Sequence, residues 1–132
     1  MRRTAWIVAA TLVSLAACNG ATSPNYGGGG GGGGGGLAGH VTVGNIFFQS
    51  AHNGTQNPAV DTIAAGTTLT WSWNAAGSHS IQSTGIPPAV FRNSVVMARA
   101  TDTYAVTFNF PGTYDYDCAV HGAAMTGRIV VQ

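Results

Sequence analysis

Three side chains near the C-terminus of this sequence could share one metal ion. Cys118, His121 and Met125 lie in "CAVHGAAM", which offers a thiol, an imidazole and a thioether. Thiolate, imidazole and thioether together suit copper. A loop of six residues, Ala119 to Ala124, lets all three side chains converge on one ion, yet Cys-x-x-His alone is a weak signal. A plane of one sulfur and two nitrogens needs a second imidazole. His79, in "NAAGSHSI", is the candidate. Each residue also has a plainer reading. Cys118 could be a small buried hydrophobe, His79 a solvent-facing turn residue and Met125 a cap on the core. Met97 sits in an apolar run and reads as core. His40 reads as a strand start, and His52 as part of the His52-Asn53-Gly54 turn.

The elements that would position these groups read as strands. "TTLTWSW" (67–73) alternates Leu69, Trp71 and Trp73 against polar neighbours. "DTYAVTFNF" (102–110) places Tyr104, Val106, Phe108 and Phe110 on one face, and "TYDYDC" (113–118) does so with Tyr114, Tyr116 and Cys118. "HVTVGNIFF" (40–48) and "TGRIVVQ" (126–132) complete the set, with 91–100 a short turn or a further strand. Period-two alternation with one apolar face marks half-buried strands. Asn53-Gly54, Ala65-Gly66, Pro87-Pro88 and Pro111-Gly112 are turn signals between them. The pattern predicts an all-β fold, a Greek-key β-sandwich of seven or eight strands. Cys118 should then point inward at a strand end. A loop over 119–124 carries His121 and leads to Met125.

Ahead of these strands the composition changes twice. Arg2-Arg3 followed by the apolar run Ala5 to Ala17 has the layout of an export signal, too short to span a bilayer as a helix. It ends in Leu15-Ala16-Ala17-Cys18, which resembles the lipobox of bacterial lipoproteins. That resemblance implies cleavage before Cys18, a lipid on its thiol and a place in the cell envelope, on a periplasmic or extracytoplasmic face. Ten glycines, Gly27 to Gly36, follow. Such a run builds no core and reads as a tether. The division expected is 1–17 signal peptide, 18–36 lipidated Cys and Gly-rich tether, and 37–132 folded domain.

Charge excludes one class of partner. From Leu37 onward three Arg face four Asp, with no Lys or Glu, so there is no basic field for nucleic acid. Cysteine usage points the other way, toward a metal. With Cys18 committed to lipid, Cys118 has no partner within the chain, and an exported free thiol is a liability unless something holds it.

Taken together, "GTTLTWSW…SHSI", "FNFPGTYDYDC", the Cys-x-x-His loop, the following Met and the closing "GRIVV" resemble the cupredoxins, blue copper proteins of the plastocyanin and pseudoazurin type. The resemblance covers nearly all of 40–132. It implies one type 1 copper held by His79, Cys118 and His121, with Met125 as a weak axial ligand. The His-to-Met spacing here is four, against five in plastocyanin-like and three in amicyanin-like loops. It also implies a monomeric electron carrier and not an enzyme. The expected partners are transient redox proteins such as c-type cytochromes or a terminal oxidase or reductase, met at a small apolar face around His121 that includes Ile86, Pro87 and Pro88. Four protein ligands leave no open position for substrate. Two other readings compete: a copper-buffering or chaperone protein, and a metal-free β-sandwich interaction domain.

Overall fold

The computed structural model describes residues 37–132. The expected signal peptide, the lipidated Cys18 and the glycine tether lie outside the described residues. The described chain forms eight strands: β1 His40–Gly44, β2 Phe47–Ser50, β3 Ala59–Ile63, β4 Thr67–Trp73, β5 Gln82–Ser83, β6 Thr103–Phe108, β7 Gly112–Cys118 and β8 Gly122–Val131. They make two four-stranded sheets, ordered β2-β1-β4-β6 and β3-β8-β7-β5. β1 runs parallel to β4 and β3 parallel to β8; the remaining pairings are antiparallel. The all-β sandwich is the one that the alternation predicts, with eight strands.

The inner faces of both sheets carry the core. Leu69, Trp71 and Trp73 of β4 meet Tyr114, Tyr116 and Cys118 of β7 and Ile129 and Val131 of β8, all buried. Trp71 is the hub. It stacks on Phe91 and meets Tyr116 edge-on at 5.4 Å between ring centres, a geometry favoured by the ring quadrupoles. The Tyr116 ring lies directly over Gly127, its cross-strand partner on β8. A methyl group at Gly127 would fall inside that ring, and the ring cannot retreat from Phe48 and Trp71. Gly127→Ala should therefore cost about 1–3 kcal/mol, the range for overpacking a filled core. A urea denaturation midpoint unchanged by G127A would contradict this packing.

Several details differ from the sequence reading, each for a physical reason. The stretch 40–48 is two strands, because Ile46 takes a left-handed φ of 59° and turns the chain over. β3 escaped the pattern because its inward position between Ala59 and Ile63 is Asp61, a charge-bearing residue that is fully buried. Its carboxylate accepts hydrogen bonds from the backbone N–H of Gly39 and Thr62 and faces the His52 imidazole at 3.5 Å. Burial nonetheless outweighs these partners and pushes the Asp61 carboxyl up. His52 is thus more than a turn residue. Phe110 is not on the inner face with Phe108. It lies past the end of β6 and is 74% exposed. The last strand starts at Gly122, four residues earlier than expected, so the loop after Cys118 is shorter.

All strands run between two poles. β7 climbs from Gly112 to Cys118, and β4 climbs beside β1 toward Trp73. The upper pole therefore collects the Cys118–Gly122 turn and the segment after Trp73. The lower pole collects the 64–66 turn, the 109–111 turn and the C-terminus, which are joined by hydrogen bonds from Gly66 N–H to the Phe108 carbonyl and from Ala65 N–H to the Gln132 carbonyl.

Candidate metal centre

Cys118 ends β7 with its side chain fully buried, as the alternation through Tyr114 and Tyr116 requires. The chain then turns at once. The His121 N–H donates to the Cys118 carbonyl at 3.0 Å, and Gly122 follows with a left-handed φ of 53°. That is a tight turn closed by a glycine where a side chain would strain. It throws His121 back over the strand end, with the ring partly exposed.

His79 reaches the same place from the other direction. No regular strand holds it; an isolated bridge to Met97 does. The His79 N–H donates to the Met97 carbonyl at 2.9 Å, and the Met97 N–H returns a bond to the His79 carbonyl at 2.8 Å. The side chain of Met97 is half-buried against the core, as expected, but its backbone fixes His79, a role the sequence did not signal. His79 is only 1% exposed. Burial, and after it the neighbouring His121, hold its imidazole below the ordinary histidine range, so the ring is neutral at neutral pH and keeps a lone pair for a metal.

The three donor atoms form a small triangle. His79 Nδ1 and His121 Nδ1 are 3.2 Å apart, Cys118 Sγ is 3.4 Å from His121 Nδ1, and Cys118 Sγ is 3.9 Å from His79 Nδ1. A point equidistant from all three lies about 2.0 Å from each, against roughly 2.0–2.1 Å for a metal–imidazole bond and roughly 2.3 Å for a metal–thiolate bond. The donor set therefore fits a single ion by distance as well as by chemistry. His79, Cys118 and His121 are the one such group of His, Cys, Asp or Glu found among the described residues. Met125 is fully buried on β8, four positions after His121.

Ser80 serves this triangle twice. Its backbone N–H points at the Cys118 sulfur at 3.4 Å, and its hydroxyl accepts from the Ala119 N–H at 3.1 Å. It ties the segment carrying His79 to the turn carrying Cys118. It is the Ser80 N–H, and not the hydroxyl, that reaches the sulfur.

One expectation about the surroundings fails. Ile86, Pro87 and Pro88 do not flank His121. β5 pairs antiparallel with β7 through Gln82–Asp117 and Ser83–Tyr116, and the Thr84 N–H bonds to the Asp115 carbonyl. Each further residue thus moves away from Cys118, and Pro88 arrives beside Phe110, Pro111 and Gly112 at the lower pole.

A two-sheet sandwich with one thiol and two imidazoles converging at a strand end defines the class of single-copper cupredoxins. Comparison with known proteins gives the same answer. Residues 51–132 match the family of copper binding proteins described as the plastocyanin/azurin family. This chain belongs to that family. Amicyanin-alpha of Methylorubrum extorquens is 39% identical over 77 residues, which are 58% of this chain; the chain spans 63% of that protein's length, less than two thirds. Plastocyanin of Rumex obtusifolius is 33% identical over 84 residues, 57% of this chain and 85% of that protein. Among solved structures, the purple cupredoxin from Nitrosopumilus maritimus is similar with a TM-score of 0.55 and 26% identity, over 70% of this chain and 98% of that one.

Proposed function

We propose that this chain is a one-electron carrier whose single copper would be held by His79, Cys118 and His121, with the Met125 thioether as a fourth, weaker donor. The observation that carries the reading is the donor triangle, whose three atoms share a centre at bonding distance. Bound there, copper supplies a Cu(II)/Cu(I) couple. The protein's part is to keep the ligands still. Cys118 is anchored by β7 and by the Ser80 N–H, His79 by its two bonds to Met97, and His121 by the turn bond to Cys118. Ligands fixed this way need not rearrange when the charge of the site changes. The same fixing favours a carrier over a copper buffer or chaperone, which must open to release its ion.

His79 and Cys118 are sealed from solvent, whereas His121 is partly exposed. Electrons therefore exchange across the His121 edge. Ala119, Val120, Ala123 and Ala124 surround it in sequence and are exposed, small or apolar residues over which a redox protein can approach closely. Encounters of this kind are small and short-lived. Ala123→Glu should slow electron exchange with a redox protein severalfold and leave the visible spectrum unchanged; stopped-flow rates equal to those of the unmodified protein would remove this face from consideration.

The partners are transient redox proteins of the cytochrome c or terminal oxidase or reductase kind, met by a monomer that carries out no catalysis itself. The Leu15-Ala16-Ala17-Cys18 motif supports attachment by a lipid on Cys18 and a place at the cell envelope. The deciding experiment for the carrier reading is cyclic reduction and oxidation of the copper-loaded protein. An intense visible band should disappear on reduction and return on oxidation with copper retained. Release of copper at each reduction would favour the buffering alternative.

A further inference from the structure

The lower pole, opposite the metal, carries an apolar surface that electron transfer at His121 does not use. Phe110 is 74% exposed at the 109–111 turn and Ile86 is 84% exposed in the loop after β5. Pro88, two residues after Ile86 in the chain, lies with Ala89, Pro111, Gly112 and Tyr114 around an apolar hollow beside Phe110. Protein surfaces usually scatter exposed large apolar residues singly, and a cluster marks a contact.

The same pole receives the start of the folded chain. Gly39 packs against Thr67, Thr68 and Ile63, and the Thr70 N–H bonds to the Gly39 carbonyl, which sets the chain start beside the lower end of β4. Leu37, two residues earlier, is also exposed. Only eighteen residues separate it from Cys18. Acidic groups are placed elsewhere. Asp102 bonds through its carbonyl to Trp73 at the upper end of β4, Asp117 adjoins Cys118, Asp115 is paired with Arg128, and Asp61 is buried.

We infer that this lower pole, with Phe110 and Ile86 as its apolar contacts, rests on the lipid surface that holds the chain. The inference rests on the lipid-anchor reading of Cys18. With eighteen residues between Cys18 and Leu37, a domain anchored at Cys18 stays near the bilayer and meets it at high effective concentration. Under that condition a weak interfacial contact, too small to recruit a free protein, suffices to orient a tethered one. The anchor supplies the attraction that basic residues supply elsewhere, and one basic residue, Arg92, lines the adjoining hollow with Pro88 and Phe110. The consequence concerns the metal. β7 runs from Gly112 at the lipid face to Cys118 at the centre, six steps of about 3.3 Å, or roughly 20 Å. The His121 edge is then held away from the bilayer, open to a partner arriving from the aqueous side.

The test uses the full lipidated chain reconstituted in phosphatidylcholine vesicles that contain brominated acyl chains. Tryptophan reporters are placed singly at Phe110→Trp, Ile86→Trp and, at the exposed Asn74 just after β4 at the metal pole, Asn74→Trp. Vesicle flotation reads anchoring, and bromine quenching reads contact. The expected result is flotation of all three, with quenching of F110W and I86W severalfold above N74W, and an unaltered copper spectrum reporting an intact fold. Flotation with equal quenching at both poles would overturn the oriented contact while leaving the anchor in place. A chain that does not float, or whose mature N-terminus carries no lipid by mass spectrometry, overturns both. Concentration-dependent dimers in detergent that shift the F110W emission to shorter wavelength would assign the pole to a second copy instead.

Discussion

Cys118→Ser should abolish the intense visible absorption of the oxidised, copper-loaded protein and weaken copper binding by more than the ~10–100-fold that loss of an outer partner of a ligand costs. The reason is chemical before it is geometric. The sulfur at this position sits 3.4 Å from His121 Nδ1 and 3.9 Å from His79 Nδ1, sealed from water, and it accepts the Ser80 N–H. A thiol gives up its proton to a metal and becomes a polarizable anion, whereas a serine hydroxyl stays neutral near pH 7 and has no low-energy electron to donate to Cu(II). The two imidazoles would remain, so residual copper should bind as a weakly coloured, more exchangeable ion. Burying a hydroxyl where a thiol packed costs about 1–3 kcal/mol when it finds no partner, so Cys118→Ala is the companion variant. Both should lose the band. Retention of the band in either variant, followed by absorption spectroscopy during copper titration, would mean that the sulfur is not a ligand and would end the carrier reading.

Much of this site could be read before any fold was known, and the reasons are local. β4 and β7 are half-buried strands whose side chains alternate without interruption, so their limits and inner faces followed from period two. Cys118 inherits its inward direction from Tyr114 and Tyr116. What escaped reading depends on tertiary context. Asp61 breaks the apolar rhythm of β3 because its carboxylate is satisfied by Gly39, a residue distant in sequence. β5 is two residues long and offers no period to detect. The bridge between His79 and Met97 uses only backbone groups, and backbone groups leave no trace in residue type. The misplacement of Pro88 shows the same limit. Its distance from His121 is set by the direction in which β5 pairs with β7, and a two-residue strand carries no information about direction.

The backbone origin of the bond to sulfur makes Ser80 separable into two experiments. Ser80→Ala keeps the N–H at 3.4 Å from Cys118 Sγ and removes the hydroxyl that accepts from Ala119. One donor in the turn is left without a partner, so stability should fall by about 1 kcal/mol while the potential moves little. Ser80→Pro does the reverse at the sulfur, deleting the N–H itself. The residue before a proline is confined to extended conformations, which His79 already adopts in its bridge to Met97. A donor to the thiolate favours the state in which sulfur holds more negative charge, which is the reduced one. Its loss should therefore lower the reduction potential, by about 59 mV for each tenfold, or about 1.4 kcal/mol, by which the bond favours Cu(I). Hydrogen bonds to charged groups are worth about 1.5–3 kcal/mol, and only the part that differs between the two oxidation states appears in the potential, so a fall of some tens of millivolts is expected. Voltammetry of S80A and S80P side by side checks the assignment. A potential that drops in S80A as far as in S80P would locate the influence in the hydroxyl and its hold on the turn, and equal potentials in S80P and the unmodified protein would remove the N–H from the tuning of the site.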